Sequence, residues 1–120
     1  MDATCLVGIQ HTTGTIDYIV IMWDGEHVGE VLHSNYTTRD AVMTLIRGGS
    51  RPFLDGPDDI LEDSDFWEAP LRVLPHQDFF TIKTHNPQYY YLFTTDNSWI
   101  IYSTHYGPHV QHENVLYKHI

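Results

Sequence analysis

The stretch "TIDYIVIMWDGEHVGEVLHSNYTTRDAVMTLIRGG", Thr15 to Gly49, decides the fold because its hydrophobic period changes part-way along. Ile16, Tyr18, Val20 and Met22 alternate with Asp17, Ile19, Ile21 and Trp23, so both faces of an extended strand are apolar after Asp17. Such a strand belongs inside a sheet covered on both sides. After Asp24-Gly25 the period becomes helical: Val28, Val31, Leu32 and Tyr36 fall at i, i+3, i+4 and i+8, which predicts a helix from about His27 to Asn35. A second helix follows, with Thr37 and Asp40 as a T-x-x-D capping pattern, Val42, Leu45 and Ile46 as its apolar stripe, and Gly48-Gly49 as its stop. The two make a helical hairpin that must bury its stripes on the sheet.

Working outward, "TCLVGIQH" (Thr4 to His11) is a second β-type run, joined to Thr15 by "TTG" with Gly14 free to take a positive φ; the pair reads as a hairpin. Downstream, "DFFTIKT" (Asp78 to Thr84), "QYYYLFTT" (Gln88 to Thr95) and "SWIIYSTH" (Ser98 to His105) are separated by "HNP" and "DN" and predict an antiparallel meander. "HENVLYKHI" predicts a short terminal helix with Val115 and Leu116 facing inward. The order β-β-α-α-loop-β-β-β-α is that of an α+β domain: an antiparallel sheet of about five strands with the helical hairpin packed on one face. At 120 residues the chain is expected to be a single domain, residues 1–120, with a long connection at about 50–76.

That connection holds the charge. "DGPDDILEDSDFWEAP", Asp55 to Pro70, has seven carboxylates, no basic residue, and a Phe-Trp pair among the acids. The whole chain has sixteen Asp and Glu against six Lys and Arg, a formal charge of -10. Such a field repels phosphate backbones and anionic lipid, so no direct nucleic acid or membrane partner is expected, whereas a basic protein surface is attracted. The EF-hand pattern fails from every starting Asp: Pro57, Ile60 and Leu61 occupy third positions, and Trp67 the fifth position counted from Asp63. Ile60, Leu61, Phe66 and Trp67 are instead able to pin the segment to the domain with its acids outward, or Phe66 and Trp67 to anchor a partner directly. The bland alternative is a solvated loop.

Other chemistry is thinly supplied. Cys5 is the one cysteine, which excludes an internal disulfide and a multi-thiolate zinc site and suits a reducing cytoplasm. No export signal and no apolar run of spanning length is read. His105, His109 and His112 have helix-compatible intervals for a metal, but Gly107-Pro108 breaks a regular helix between the first two. His27 beside Asp24 and Glu26 is a possible acid-base group without a framed nucleophile. No phosphate-cradling glycine motif occurs. Tyr89, Tyr90 and Tyr91 alternate across the sheet, with core packing or one exposed aromatic face as the two outcomes.

The junction residues Trp23, Asp24, Gly25, His27, Val28, Gly29, Val31, Leu32, Asn35 and Tyr36, the following Thr37 to Ile46, and "YYYLFTTDNSWIIYST" and "ENVL" near the end resemble a family of small, largely uncharacterised proteins encoded by bacteriophages and prophages. Glu26 stands where such relatives tend to carry Tyr-Pro after the Asp-Gly, and the acidic middle lies outside the likeness. The resemblance implies a phage-borne accessory gene, often one that counters host defence. Together with the charge it leads to one expectation: a small acidic, non-enzymatic, cytoplasmic binding protein, monomer or homodimer, without cofactor or metal. It would act as an anti-CRISPR-like inhibitor or DNA mimic on a basic nucleic-acid-binding surface of a host protein. The binding residues expected are Asp55, Asp58, Asp59, Glu62, Asp63, Asp65, Phe66, Trp67 and Glu68. The alternatives are a nucleotide-signal sponge or enzyme using a pocket of Trp23, His27, Tyr36 and meander aromatics, or a regulatory dimer.

Overall fold

The computed structural model describes residues 4–23, 25–54, 68–103 and 115–118. They form an α+β fold in which one mixed, mostly antiparallel sheet carries two helices on one face. Strands β1 (Cys5–Gln10) and β2 (Ile16–Ile21) make the expected hairpin, with Gly14 at φ 90° in its turn. Helices α1 (Gly25–Asn35) and α2 (Arg39–Arg47) follow, then β3 (Leu71–Val73), a 3-10 turn at Phe79–Thr81, β4 (Tyr89–Phe93), β5 (Trp99–Ser103) and β6 (Val115–Lys118). The strand order across the sheet is β3-β2-β1-β4-β5-β6, with β1 parallel to β4, β5 parallel to β6 and the remaining neighbours antiparallel.

Both faces of the sheet are covered, as the two-sided alternation of β2 requires. On the helical face Cys5, Val7 and Ile9, with Ile19 and Ile21, meet Val28, Val31, Leu32 and Tyr36 of the first stripe and Val42, Leu45 and Ile46 of the second. Eleven and nine residues are too short to hold a helix alone in water. Burial of aliphatic side chains, about 1.5–3 kcal/mol each, supplies what propensity does not. Two polar staples orient α1: Tyr91 Oη donates to Gly25 O at 2.6 Å at its start, and Trp99 Nε1 donates to Tyr36 O at 3.0 Å just past its end. The α2 cap is Thr38 rather than Thr37, its side-chain oxygen accepting from Ala41 N.

The opposite face holds Leu6, Ile16, Tyr18, Val20, Val73, Tyr90 and Leu92 under Phe79. Here three expectations change. The strand expected at Asp78 to Thr84 is a 3-10 turn, because the Asp78 side chain accepts from Phe80 N at 3.0 Å and Thr81 Oγ1 donates to Asp78 O at 2.8 Å; this local capping bends the chain over the sheet. Phe79 then lies above Gly8, where an added Cβ would stand 3.2 Å from its ring. Leu71–Val73 adds an edge strand inside what reads as a structureless connection. The terminal helix is replaced by β6, paired in parallel register with β5 from Trp99↔Val115 to Tyr102↔Lys118. Tyr89, Tyr90 and Tyr91 are all buried, so their alternation fills both cores and leaves no exposed aromatic face.

Candidate functional site

The outer edge of β2 is shared between two partners, and the handover creates the site. Strand β3 pairs only from Ile16↔Val73 to Tyr18↔Leu71. Farther along, residues just after α2 take over: Val20 N donates to Ser50 Oγ at 2.9 Å, Arg51 N to Val20 O at 2.9 Å, Met22 N to Arg51 O at 3.2 Å and Trp23 N to Pro52 O at 2.8 Å. Ser50 in turn donates its backbone N–H to Glu68 O at 2.8 Å. A side-chain hydroxyl thus substitutes for one rung of the ladder, and the edge is closed without a regular strand.

Arg51 explains why the chain turns there. It is 5% exposed, and its guanidinium donates to Gly49 O and Leu45 O at 3.3 Å each, satisfying carbonyls at the C-terminal end of α2 where a positive charge also meets the helix dipole favourably. Gly48 leaves the room for that guanidinium, since a Cβ there would collide with Arg51 Nη2. Gly49, at φ 87°, reverses the chain toward β2.

Beside this junction is a cavity of about 360 Å³, in the usual range for small-ligand sites. Val20 and Met22 give it apolar lining; Thr4, Ser50, Glu68 and His85 give it polar lining, and Arg51 borders it. Thr4 Oγ1 already donates to Met22 O at 3.1 Å. His85 reaches the cavity from a turn closed by Asn86 N to Lys83 O at 2.9 Å, and both His85 (φ 70°) and Asn86 (φ 51°) have left-handed backbone. For a non-glycine residue that conformation costs about 1–2 kcal/mol. Ser50, His85 and Glu68 are the ingredients of a nucleophilic triad, yet no hydrogen bond joins their side chains, and Ser50 Oγ is held by the Val20 amide. Ser50 Oγ is thus engaged by a backbone amide and not by a side-chain base.

A second polar group lies at the other end of the β2 edge. Asp17 accepts from Arg72 Nε at 2.9 Å and faces His11 Nε2 at 2.8 Å. The Arg72 hydrogen bond, ahead of that from His11, holds the Asp17 carboxyl below the usual carboxylate range against the opposing effect of burial. This cluster ties β3 to the hairpin.

Of the binding residues expected from sequence, Asp55, Asp58, Asp59, Glu62, Asp63, Asp65, Phe66 and Trp67 lie outside the described residues, as do His105, His109 and His112. Glu68 is described, exposed and paired through its backbone with Ser50. The chain enters the acidic segment from Leu54, buried in the helical-face core, and leaves it at Glu68, so both ends are fixed. Met22 and Trp23 are each 46% exposed beside these stems. Tyr36 is in the core, whereas Trp23 and His27 are exposed. Among the described residues no group of three or more His, Cys, Asp and Glu could hold a metal ion, and no helix is long and apolar enough to cross a membrane. Thr4, Ser50 and His85 are far apart in the chain, and no motif spacing marks them; the His-Asn-Pro turn was the one local signal. No family model, no curated protein and no solved structure matches this chain.

Proposed function

We propose that this protein acts by docking its acidic segment, residues 55–68, on a basic surface of a nucleic-acid-handling protein, without enzymatic chemistry of its own. The observation that carries the reading is the segregation of charge. All six Lys and Arg (Arg39, Arg47, Arg51, Arg72, Lys83 and Lys118) belong to the described residues, with only seven of the sixteen acids. Three of these cations are engaged within the fold: Arg39 on Gln10 O, Arg51 on the end of α2, and Arg72 on Asp17. Six of the remaining acids fall between Asp55 and Asp65, in a segment whose two stems are tied to one corner of the sheet.

Fixing both ends lowers the entropy lost when a charged loop docks. Carboxylates crowded onto one segment compete with phosphates for Lys and Arg. Exposed Met22 and Trp23 add apolar contact area at its base. The anti-defence setting is that implied by the phage-family likeness. A capture assay tests the mechanism: immobilised protein is offered basic nucleic-acid-binding effectors with and without competing duplex DNA. Capture is expected to be displaced by DNA and by salt, and to be lost in a variant with Asp58, Asp59, Glu62, Asp63 and Asp65 changed to Asn or Gln. Undiminished capture by that variant sinks the proposal.

A further inference from the structure

We infer that the cavity lined by Thr4, Val20, Met22, Ser50, Arg51, Glu68 and His85 is a binding site for an aliphatic organic cation, an alkylammonium or alkylguanidinium group. The inference rests on the lining itself and stands whether or not the acidic segment docks on a protein. Its basis is a count of donors and acceptors. The Thr4 hydroxyl spends its one proton on Met22 O, so it meets a ligand only as an acceptor. Ser50 Oγ receives the Val20 amide and keeps a lone pair and its own proton. Glu68 contributes a carboxylate, and the His85 imidazole has one acceptor nitrogen when neutral. Acceptors are in excess, and a donor-rich ligand is the complement.

The charges point the same way. The cation bordering the site, Arg51, donates its Nε and Nη2 to Gly49 O and Leu45 O, and its backbone N–H and carbonyl complete the β2 edge. That guanidinium keeps its charge but is turned to carbonyls at the end of α2, so a phosphate or carboxylate ligand would meet Glu68 inside a chain of formal charge -10. Among the described residues a metal ion would find one carboxylate and one imidazole, fewer than the three or four protein ligands a zinc site uses. Val20 and the Met22 thioether supply the apolar lining that a methylene chain packs on. The conformation of His85 adds an independent reason. Glycine would take φ 70° without strain, yet an imidazole stands there and lines the cavity.

The same chemistry is carried by a free diamine and by the Lys or Arg side chain of a bound polypeptide. Amide chemical shifts of the isotopically labelled full chain, titrated with 1,5-diaminopentane, agmatine, and N-acetyl-lysine and N-acetyl-arginine methylamides, separate the two. Saturable shifts at Val20, Met22, Ser50 and Arg51 with the cations, and none with inorganic phosphate or AMP, are expected. Tighter binding of the free amines assigns a small-molecule ligand; equal or tighter binding of the blocked amino acids assigns a side chain. Glu68→Gln is expected to weaken binding by about tenfold or more, the scale of one lost charge-assisted contact. His85→Gly is expected to weaken it while the melting temperature holds or rises, a combination that damage to the fold would not give. Absence of shifts with every cation, equal response to phosphate, or full affinity in Glu68→Gln would overturn the inference.

Discussion

Gly29 offers a sharp test of how α1 is seated. It is buried in the helix, and a Cβ built on it would lie 2.9 Å from Tyr91 Oη, 3.0 Å from Cε1 and 3.2 Å from Cζ. Carbon contacts are comfortable near ~3.5–4.0 Å, so the ring has to retreat by roughly 0.5–1 Å. Tyr91 is 2% exposed, and its hydroxyl is fixed on Gly25 O at 2.6 Å. Three effects compete in Gly29→Ala. Alanine gains about 1 kcal/mol of helix propensity over glycine. Overpacking costs about 1–3 kcal/mol. Displacing the hydroxyl leaves the Gly25 carbonyl without that partner, at about 1–3 kcal/mol. The losses win, and a net destabilisation of about 1–5 kcal/mol is expected, where an unconstrained helical glycine would gain stability on the same change.

Tyr91→Phe removes the nearest contacting atom and the hydrogen bond together. Alone it costs about 1–2 kcal/mol. In its background Gly29→Ala has no hydrogen bond left to break and a looser contact to relieve, so the double variant should be more stable than the sum of the singles by about 1–2 kcal/mol. Urea unfolding of the four proteins, with constant m-values to confirm that only stability changes, measures the coupling. A Gly29→Ala variant at or above parental stability, or additivity within about 0.5 kcal/mol, would refute the packing argument.

Asp17 predicts a pH dependence. Its folded pKa is depressed by the Arg72 and His11 hydrogen bonds, so its stabilising contribution is complete above the unfolded value of about 3.9 and is lost as pH falls through the folded value; the stability gap between the parent and Asp17→Asn should close from about pH 5 downward, and a pH-independent gap contradicts it. Cys5 is fully buried, and burial pushes its thiol far above the usual range; alkylation of the native protein should be slower than that of the denatured chain by about 100-fold or more, and comparable rates would show the strand to be open.

What sequence revealed followed the reach of each physical signal. The β2 alternation and the stripes Val28-Val31-Leu32-Tyr36 and Val42-Leu45-Ile46 are periodic over several turns or pleats, and every one of these helical residues is buried where the pattern put it. The Asp78 turn reads as a strand because "FFTIKT" has strand composition, while a single capping carboxylate at Asp78 redirects it. Leu71–Val73 is three residues between Pro70 and Pro75, too short for any alternation to register. The β6 segment has the Val-Leu-Tyr composition of a strand, but its parallel pairing with β5, like that of β4 with β1, depends on contacts no local pattern encodes. The cavity was illegible for the same reason: Thr4, Ser50 and His85 converge only after the edge of β2 is divided between β3 and the Ser50 stem.

That division also separates stability from binding. The stems of the acidic segment are held by backbone bonds to β2, by the Ser50 hydroxyl and by Leu54 in the core, none of which depends on a carboxylate between Asp55 and Asp65. Crowding six acids there raises mutual repulsion, which destabilises a compact state unless the segment is placed away from the core. Neutralising them should therefore leave the fold intact or firmer while removing the attraction to a basic partner. Loss of partner capture in such a variant would report on recognition, and loss of the amine site in Glu68→Gln on the cavity, so the two proposals can fail one at a time.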